Sequence, residues 1–257
     1  MAEFRRTYGD IKVRGVNCPR PIINWYQCGL PSPVLDLIEK KSFEKPFPIQ
    51  CQAIPVAMSG RDTIGIAETG SGKTLAYVLP MLRHIRDQRP LEDGDGPIGL
   101  IIAPTRELVL QIWKETKAFA KACGLQVVAV YGGVNIQDQL PMLKRGTEIV
   151  VCTPGRMRDV LALSNGKITN LKRVSYVVLD EADRILDMGF EPQVKVMLNK
   201  CRPDKQTVMF SATFPRSIEN LAKSILSQPV EIVVGNRGQT SNNIEQMVEV
   251  IEDEDKF

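Results

Sequence analysis

Ala67-Glu68-Thr69-Gly70-Ser71-Gly72-Lys73-Thr74 follows the apolar run Thr63-Ile64-Gly65-Ile66 and precedes a helical pattern from Leu75 to His84. A short strand, a glycine-rich turn and a Lys-Thr pair opening a helix form the layout of a phosphate-binding loop. Gly70 and Gly72 lack a Cβ, so the backbone can curl until several N–H groups point at one place. The helix that begins near Gly72 adds unpaired N–H groups and the positive end of its dipole. In that frame Lys73 would reach the β- and γ-phosphates of a nucleotide, and the Thr74 hydroxyl would sit on a magnesium ion. A strict form of the pattern asks for glycine at position 67, where this chain has alanine. On the octamer alone, a loop that only imitates a phosphate cradle stays open as an alternative.

An acidic partner narrows the choice. Val177-Val178-Leu179-Asp180-Glu181-Ala182-Asp183 is an apolar strand that runs into carboxylates. Asp180 would hold the magnesium ion through water, and Glu181 would orient or deprotonate the water attacking the γ-phosphate. By itself an Asp-Glu pair after a strand reads as a solvated acidic turn. Paired with the loop at 67–74, it points to an ATPase site.

The rest of the chain suits such a site. Apolar runs at 62–66, 98–103, 126–131, 148–152, 174–179, 206–210 and 230–234 read as strands, and helical periodicity falls between most of them, as at Glu107–Ala122 and Pro192–Asn199. Strands without polar alternation, interleaved with helices, predict a mainly parallel sheet with helices on both faces. In such sheets ligands bind at the carboxyl ends of the strands. Upstream, Trp25 to Lys41 has a helical pattern entered through Ser32-Pro33. A second helix begins at Pro48, and Pro55 is expected to shorten or kink it. Residues 1–20 carry Arg5, Arg6, Lys12, Arg14 and Arg20 with little periodicity and read as an extended or weakly ordered basic arm.

With 43% hydrophobic and 25% charged residues, the 257-residue chain has ample material for a core. No apolar run approaches a membrane span, and the first ten residues lack the apolar stretch of a secretory signal. Six scattered cysteines without a C-x-x-C pair disfavour a zinc site or a disulfide framework and fit a reducing compartment. A net charge of +3 is too small to argue for nucleic acid, so that case rests on local residues. The single histidine, His84, reads as structural.

Asp180-Glu181-Ala182-Asp183 spells the name of a family that the chain resembles from about Trp25 to Val234, the DEAD-box RNA helicases. Pro104-Thr105-Arg106-Glu107-Leu108, Gly132-Gly133, Thr153-Pro154-Gly155-Arg156 and Ser211-Ala212-Thr213 match further family motifs in order, and Ala67 is also the family's habit. The resemblance implies a RecA-like P-loop NTPase domain over 21–238, with ATP and Mg2+ as cofactors. It implies that Gln50 hydrogen-bonds the adenine edge and that Phe43 packs on the base; an amide's paired donor and acceptor suit adenine. Phe47 stands where the family usually has Thr or Ser, so a hydroxyl contact is missing. Trp25 matches the family's upstream aromatic, and a base contact and a plain core role are equally open for it.

The resemblance also implies an RNA face. Pro104, Thr105, Arg106, Gly132, Gly133, Thr153, Pro154, Gly155 and Arg156 follow candidate strands, and their hydroxyls, glycines, helix-start N–H groups and arginines are what phosphate oxygens need. None of them reads a base edge, so binding is expected to be largely independent of sequence, with RNA told from DNA through the 2′-hydroxyl. Ser211 and Thr213 would couple the nucleotide site to RNA by bonding to the Asp183 region. In the family a second RecA-like domain supplies arginines to the γ-phosphate, worth roughly 10³–10⁵ in rate. No motif of that domain follows Ser211-Ala212-Thr213, and 239–257 reads as an acidic linker toward it, so the chain alone is expected to be weakly active or inactive. Closer resemblance is to the splicing branch that acts on the branch-site ribonucleoprotein, which implies spliceosomal protein partners and a nuclear location. Two other classes are weighed: an ATP-gated RNA clamp or scaffold, and a P-loop ATPase acting on DNA or protein.

Overall fold

A computed structural model describes residues 2–163 and 167–235; the expected acidic linker at 239–257 lies outside them. In chain order the first half comprises α1 (Ala2–Thr7), β1 (Ile11–Arg14), a 3-10 turn (Trp25–Cys28), α2 (Ser32–Lys40), α3 (Pro48–Met58), β2 (Thr63–Ile66), α4 (Lys73–Arg86), β3 (Gly99–Ile102), α5 (Arg106–Ala122) and β4 (Val127–Val130). A 3-10 turn (Ile136–Asp138), α6 (Leu140–Lys144), β5 (Ile149–Cys152), α7 (Pro154–Leu163), β6 (Tyr176–Leu179), α8 (Ala182–Asp187), α9 (Glu191–Lys200), β7 (Gln206–Ser211), α10 (Arg216–Ile225) and β8 (Val230–Val234) follow. The strands form one sheet in the order β1-β8-β2-β7-β6-β3-β5-β4, parallel throughout except for the β1–β8 pair.

The central strands are apolar on both faces because both faces are covered. Ile101, Val151, Val178 and Phe210 pack with residues of α3, α4 and α5, whereas Leu100, Ile102, Val150, Val177 and Met209 pack with residues of α7, α9 and α10. All seven strands expected from the apolar runs are present. The eighth, β1, was not expected, and it corrects the picture of a weakly ordered arm. Ile11 to Arg14 pair with Val234 to Glu231, and the Arg5 guanidinium donates to Gln52 Oε1 at 2.8 Å and to the Pro19 carbonyl at 3.2 Å. At the opposite edge, side chains blunt β4. Trp113 Nε1 donates to the Val127 carbonyl at 3.1 Å, and the buried Gln139 amide pairs with both backbone groups of Tyr131.

Two further expectations are refined. The 25–41 helix is interrupted, with Gly29 in the left-handed region at φ +62° before α2 restarts at Ser32. Pro55 does not cut α3 short, because Cys51 O, the carbonyl its missing N–H would have used, accepts the Ile22 N–H at 2.9 Å.

Asp62, just before β2, fastens the sheet from below. Its carboxylate accepts the Thr207 and Ser227 N–H groups, each at 2.7 Å. Burial pushes its pKa up against those two hydrogen bonds and the nearby Lys205 and Arg61 charges. Asp62→Ala leaves the buried Thr207 N–H without an acceptor, while the Ser227 N–H lies at the surface, and should cost about 1–3 kcal/mol of stability, read by urea unfolding. A loss below about 0.5 kcal/mol would show that water replaces the carboxylate there.

Candidate active site

Three loops leave adjacent strands on one edge of the sheet. The turn at 67–72 leaves β2, Ser211 closes β7, and Asp180-Glu181 follow β6, with β7 between the other two. Ile66 lies opposite Ser211 in the register, and the Ala67 N–H donates to the Ser211 carbonyl at 3.2 Å. Gly70 and Gly72 adopt φ +80° and +83°, the left-handed region that lets the chain fold back on itself. Glu68, Thr69 and Gly70 are exposed, Ser71 and Thr74 half-buried, and Ser71 Oγ closes the turn on the Glu68 carbonyl at 2.7 Å.

Lys73 opens α4 and is only 9% exposed. Its Nζ donates to the Ala67 carbonyl at 3.0 Å, and its charge acts on both Asp180 and Glu181. The ammonium and the two carboxylates therefore share one site. Asp180 is 4% exposed; Oδ2 accepts the Tyr77 hydroxyl at 2.8 Å and Oδ1 accepts the Glu181 N–H at 2.9 Å. Burial raises its pKa, opposed by Lys73, Tyr77 and the Glu181 amide. Glu181 occupies the left-handed region at φ +49°, ψ +53°, a costly conformation for a residue with a Cβ. Its Oε2 is buried without a hydrogen bond, 3.5 Å from the Arg184 guanidinium. Burial and the neighbouring Asp180 charge raise its pKa, with Arg184 and Lys73 opposing.

Thr74, Asp180 and Glu181, whose Oε2 makes no hydrogen bond, supply only oxygen atoms, the donor type a magnesium ion takes. No cluster of three or more His, Cys, Asp or Glu among the described residues could hold a metal alone. A magnesium ion here would thus lean on nucleotide phosphates, as Mg2+ commonly does.

Asp183, at the start of α8, faces Ser211 and Thr213. Its Oδ2 accepts the Thr213 N–H at 2.9 Å and the Thr213 hydroxyl at 2.8 Å, while its own N–H donates to Ser211 Oγ at 3.3 Å. Burial pushes this carboxyl up, but the bonds from Thr213 and Ser211 outweigh it, and it titrates below the ordinary aspartate value. The expected link between the two motifs is present as geometry.

The upstream segment departs from expectation. Gln50 is 1% exposed, and its amide joins two backbone groups, accepting the Phe47 N–H at 2.8 Å and donating to the Gly72 carbonyl at 2.8 Å. In this conformation it is a strut between α3 and the phosphate loop, with one amide N–H and one lone pair of the oxygen used in these bonds. The half-buried Phe43 borders a cavity of about 210 Å³ with Trp25, Tyr26 and Leu35. Trp25 is 5% exposed, and its Nε1 donates to the Phe43 carbonyl at 2.8 Å, which favours the core role for it.

The other half of the same edge gathers the phosphate-type residues. The ends of β3, β5 and β4 line a cavity of about 490 Å³ that includes Pro104, Thr105, Arg106, Gly132, Thr153, Gly155 and Arg156. Pro154 is buried at the start of α7, and Gly133 sits behind Arg106, offering its carbonyl to Nη1 at 3.4 Å. Arg106 also lies over the Tyr131 ring, 5.1 Å from its centroid. Arg156 Nη2 donates to the Val134 carbonyl at 2.9 Å, and Nη1 is buried with no partner. Backbone carbonyls and a ring hold the two guanidinium groups. Glu107 of the quoted Pro104–Leu108 motif also lines the wall, and sequence reasoning missed three further wall residues, Asp159, Met188 and Phe190. Asp159 lies three residues beyond Arg156, one helical turn on, and that spacing could have flagged it.

A family model described as DEAD/DEAH box helicase matches residues 47–221. The chain belongs to that family. It is 60% identical over 254 residues to "Probable ATP-dependent RNA helicase DDX46" from Homo sapiens, covering 99% of this chain and 25% of the human one. "DEAD-box ATP-dependent RNA helicase 45" from Arabidopsis thaliana is 59% identical over 248 residues, covering 96% of this chain and 25% of the relative. This DEAD-box domain thus spans about a quarter of the length of the curated relatives it matches. Among solved structures, the RNA-helicase Prp28 from Chaetomium thermophilum bound to ADP superposes with a TM-score of 0.82 at 40% identity, over 99% of this chain and 59% of that one. The yeast DEAD-box splicing factor Prp28 gives 0.84 at 35% identity, over 93% and 56%. The fold is RecA-like, as the resemblance implied.

A methyl group at Gly72 would collide with the Gln50 amide and the Phe47 ring, at a residue whose φ is +83°. Gly72→Ala should abolish nucleotide binding in a fluorescent-ADP titration while circular dichroism stays native. Binding within twofold of the parent would mean the loop tolerates a different path.

Proposed function

We propose that this chain is the ATP-binding half of an RNA-dependent ATPase that remodels RNA or ribonucleoprotein. The observation that carries it is the meeting of Lys73, after β2, with Asp180 and Glu181, after β6, across the end of β7, beside a cavity at the same sheet edge that includes Arg106 and Arg156. Residues 67–72 and the start of α4 would cradle the phosphates, and Lys73 would exchange the Ala67 carbonyl for β- and γ-phosphate oxygens. Thr74 and Asp180 would hold Mg2+, which when bound neutralises charge on the transferring phosphate. Glu181 Oε2, which lacks a hydrogen bond, would accept the proton of the attacking water as the γ-phosphorus to bridging-oxygen bond breaks, leaving ADP and phosphate.

The cavity built from Thr105, Arg106, Gly132, Thr153, Gly155 and Arg156 would take the RNA backbone. The unpartnered Arg156 Nη1 is a donor in want of an anionic oxygen. Asp183, Ser211 and Thr213 would pass changes between the two halves of the edge through their shared hydrogen bonds. Residues 1–20 would belong with the 21–238 domain rather than stand apart, since β1 extends its sheet. A second RecA-like domain in the same protein would complete both sites; the length of the relatives supports this. A role in pre-mRNA splicing, with spliceosomal partners and a nuclear location, is supported by the structural likeness to the yeast splicing factor. The presence of Glu181 as a base, with no hydrogen bond at Oε2, favours turnover over a passive RNA clamp.

In the full-length protein, Glu181→Gln should lower RNA-stimulated ATP hydrolysis by at least about 10²-fold while fluorescent-ATP binding persists. RNA should stimulate the parent protein and DNA of the same sequence should not. Retained turnover in the variant, or equal stimulation by DNA, would overturn the assignment.

A further inference from the structure

Tyr77 is fully buried on α4, three residues beyond Thr74. Its ring packs at 5.6 Å from Phe210 on β7, and its hydroxyl donates to Asp180 Oδ2 at 2.8 Å. One phenol, a single turn beyond Thr74 on α4, therefore holds the carboxylate at the end of β6 that is read above as a cation ligand. Phenylalanine would fill the ring's volume equally well, so packing alone does not account for the oxygen. A carboxylate accepts about four hydrogen bonds, and two are already taken from within the protein, by Tyr77 and by the Glu181 N–H. That fixes the plane of the Asp180 carboxylate before any ligand arrives, and leaves its remaining lone pairs for water around an ion.

We propose that Tyr77 is a positioning residue for the divalent cation of the nucleotide complex, setting the orientation of the Asp180 carboxylate. The inference rests on reading this site as one for a magnesium–nucleotide complex. The effect of losing the hydroxyl should fall on the metal-dependent part of nucleotide affinity and spare the part carried by the phosphate loop.

The test compares fluorescent-ADP affinity with excess Mg2+ and with EDTA in full-length protein. Tyr77→Phe should reduce the Mg2+-dependent gain about tenfold while the EDTA affinity stays within about twofold. In an Asp180→Asn background the same substitution should have no further effect on that gain, since the carboxylate it acts through is gone. Phe210→Leu, which loosens the ring's packing and leaves the hydroxyl, separates positioning from general destabilisation. Three results would overturn the proposal: an unchanged Mg2+-dependent gain in Tyr77→Phe, equal loss with EDTA, or the same selective loss in Phe210→Leu. If the parent protein shows no Mg2+-dependent gain at all, the reading of the site fails rather than the role of Tyr77.

Discussion

Parallel pairing of β7 with β2 on one side and β6 on the other decides where chemistry can occur in this protein. Ile66 stands opposite Ser211, and Leu179 opposite Met209, so all three strands end at nearly the same level. Loops that are over a hundred residues apart in the chain are thereby delivered side by side. The phosphate loop, the Asp180-Glu181 turn and the Ser211–Thr213 segment need no long excursions to meet. The same edge continues across β3, β5 and β4 to the arginine-lined cavity, so nucleotide and nucleic-acid contacts share one rigid platform.

The nucleotide half of that platform is held away from electrostatic comfort. A buried ammonium rests on one backbone carbonyl, a buried aspartate has two protein donors, and a glutamate sits in a disfavoured backbone region with one oxygen making no hydrogen bond. Burial raises the pKa of both acids in spite of Lys73. Such an arrangement makes sense where a highly charged ligand completes it, because each of these groups gains a partner at once. Asp183 shows the opposite balance, with hydrogen bonds from Thr213 and Ser211 holding its carboxyl ionised. The reacting acids are thus poised, and the linking acid is saturated.

Much of this was visible in the sequence because buried parallel strands leave an unbroken apolar signature, and because glycines with φ near +80° leave no substitute. What escaped did so for identifiable reasons. β1 is four residues long, alternates with Lys12 and Arg14, and pairs with a strand more than two hundred residues away. The helix α10 was legible in principle, since Ile218, Leu221, Ala222 and Ile225 fall on one face, yet its polar remainder hid it. Pro55 misled because the compensating donor, Ile22, comes from outside the helix. Tyr77 read as an ordinary apolar position of α4, since nothing local announces that its hydroxyl meets a carboxylate 103 positions away. The bonds of Gln50 to Phe47 and Gly72 escaped because they depend on how α3 packs against the phosphate loop, which nothing local announces.

The most direct test of the shared site is a crystal structure of the protein with Mg2+ and a non-hydrolysable ATP analogue. The account predicts that Lys73 Nζ leaves the Ala67 carbonyl for β- and γ-phosphate oxygens, with the γ-phosphate lying between Lys73 and Glu181. A triphosphate bound elsewhere, or one seated in the loop while Lys73 stays on Ala67 and Glu181 lies beyond water-bridged reach, would contradict it.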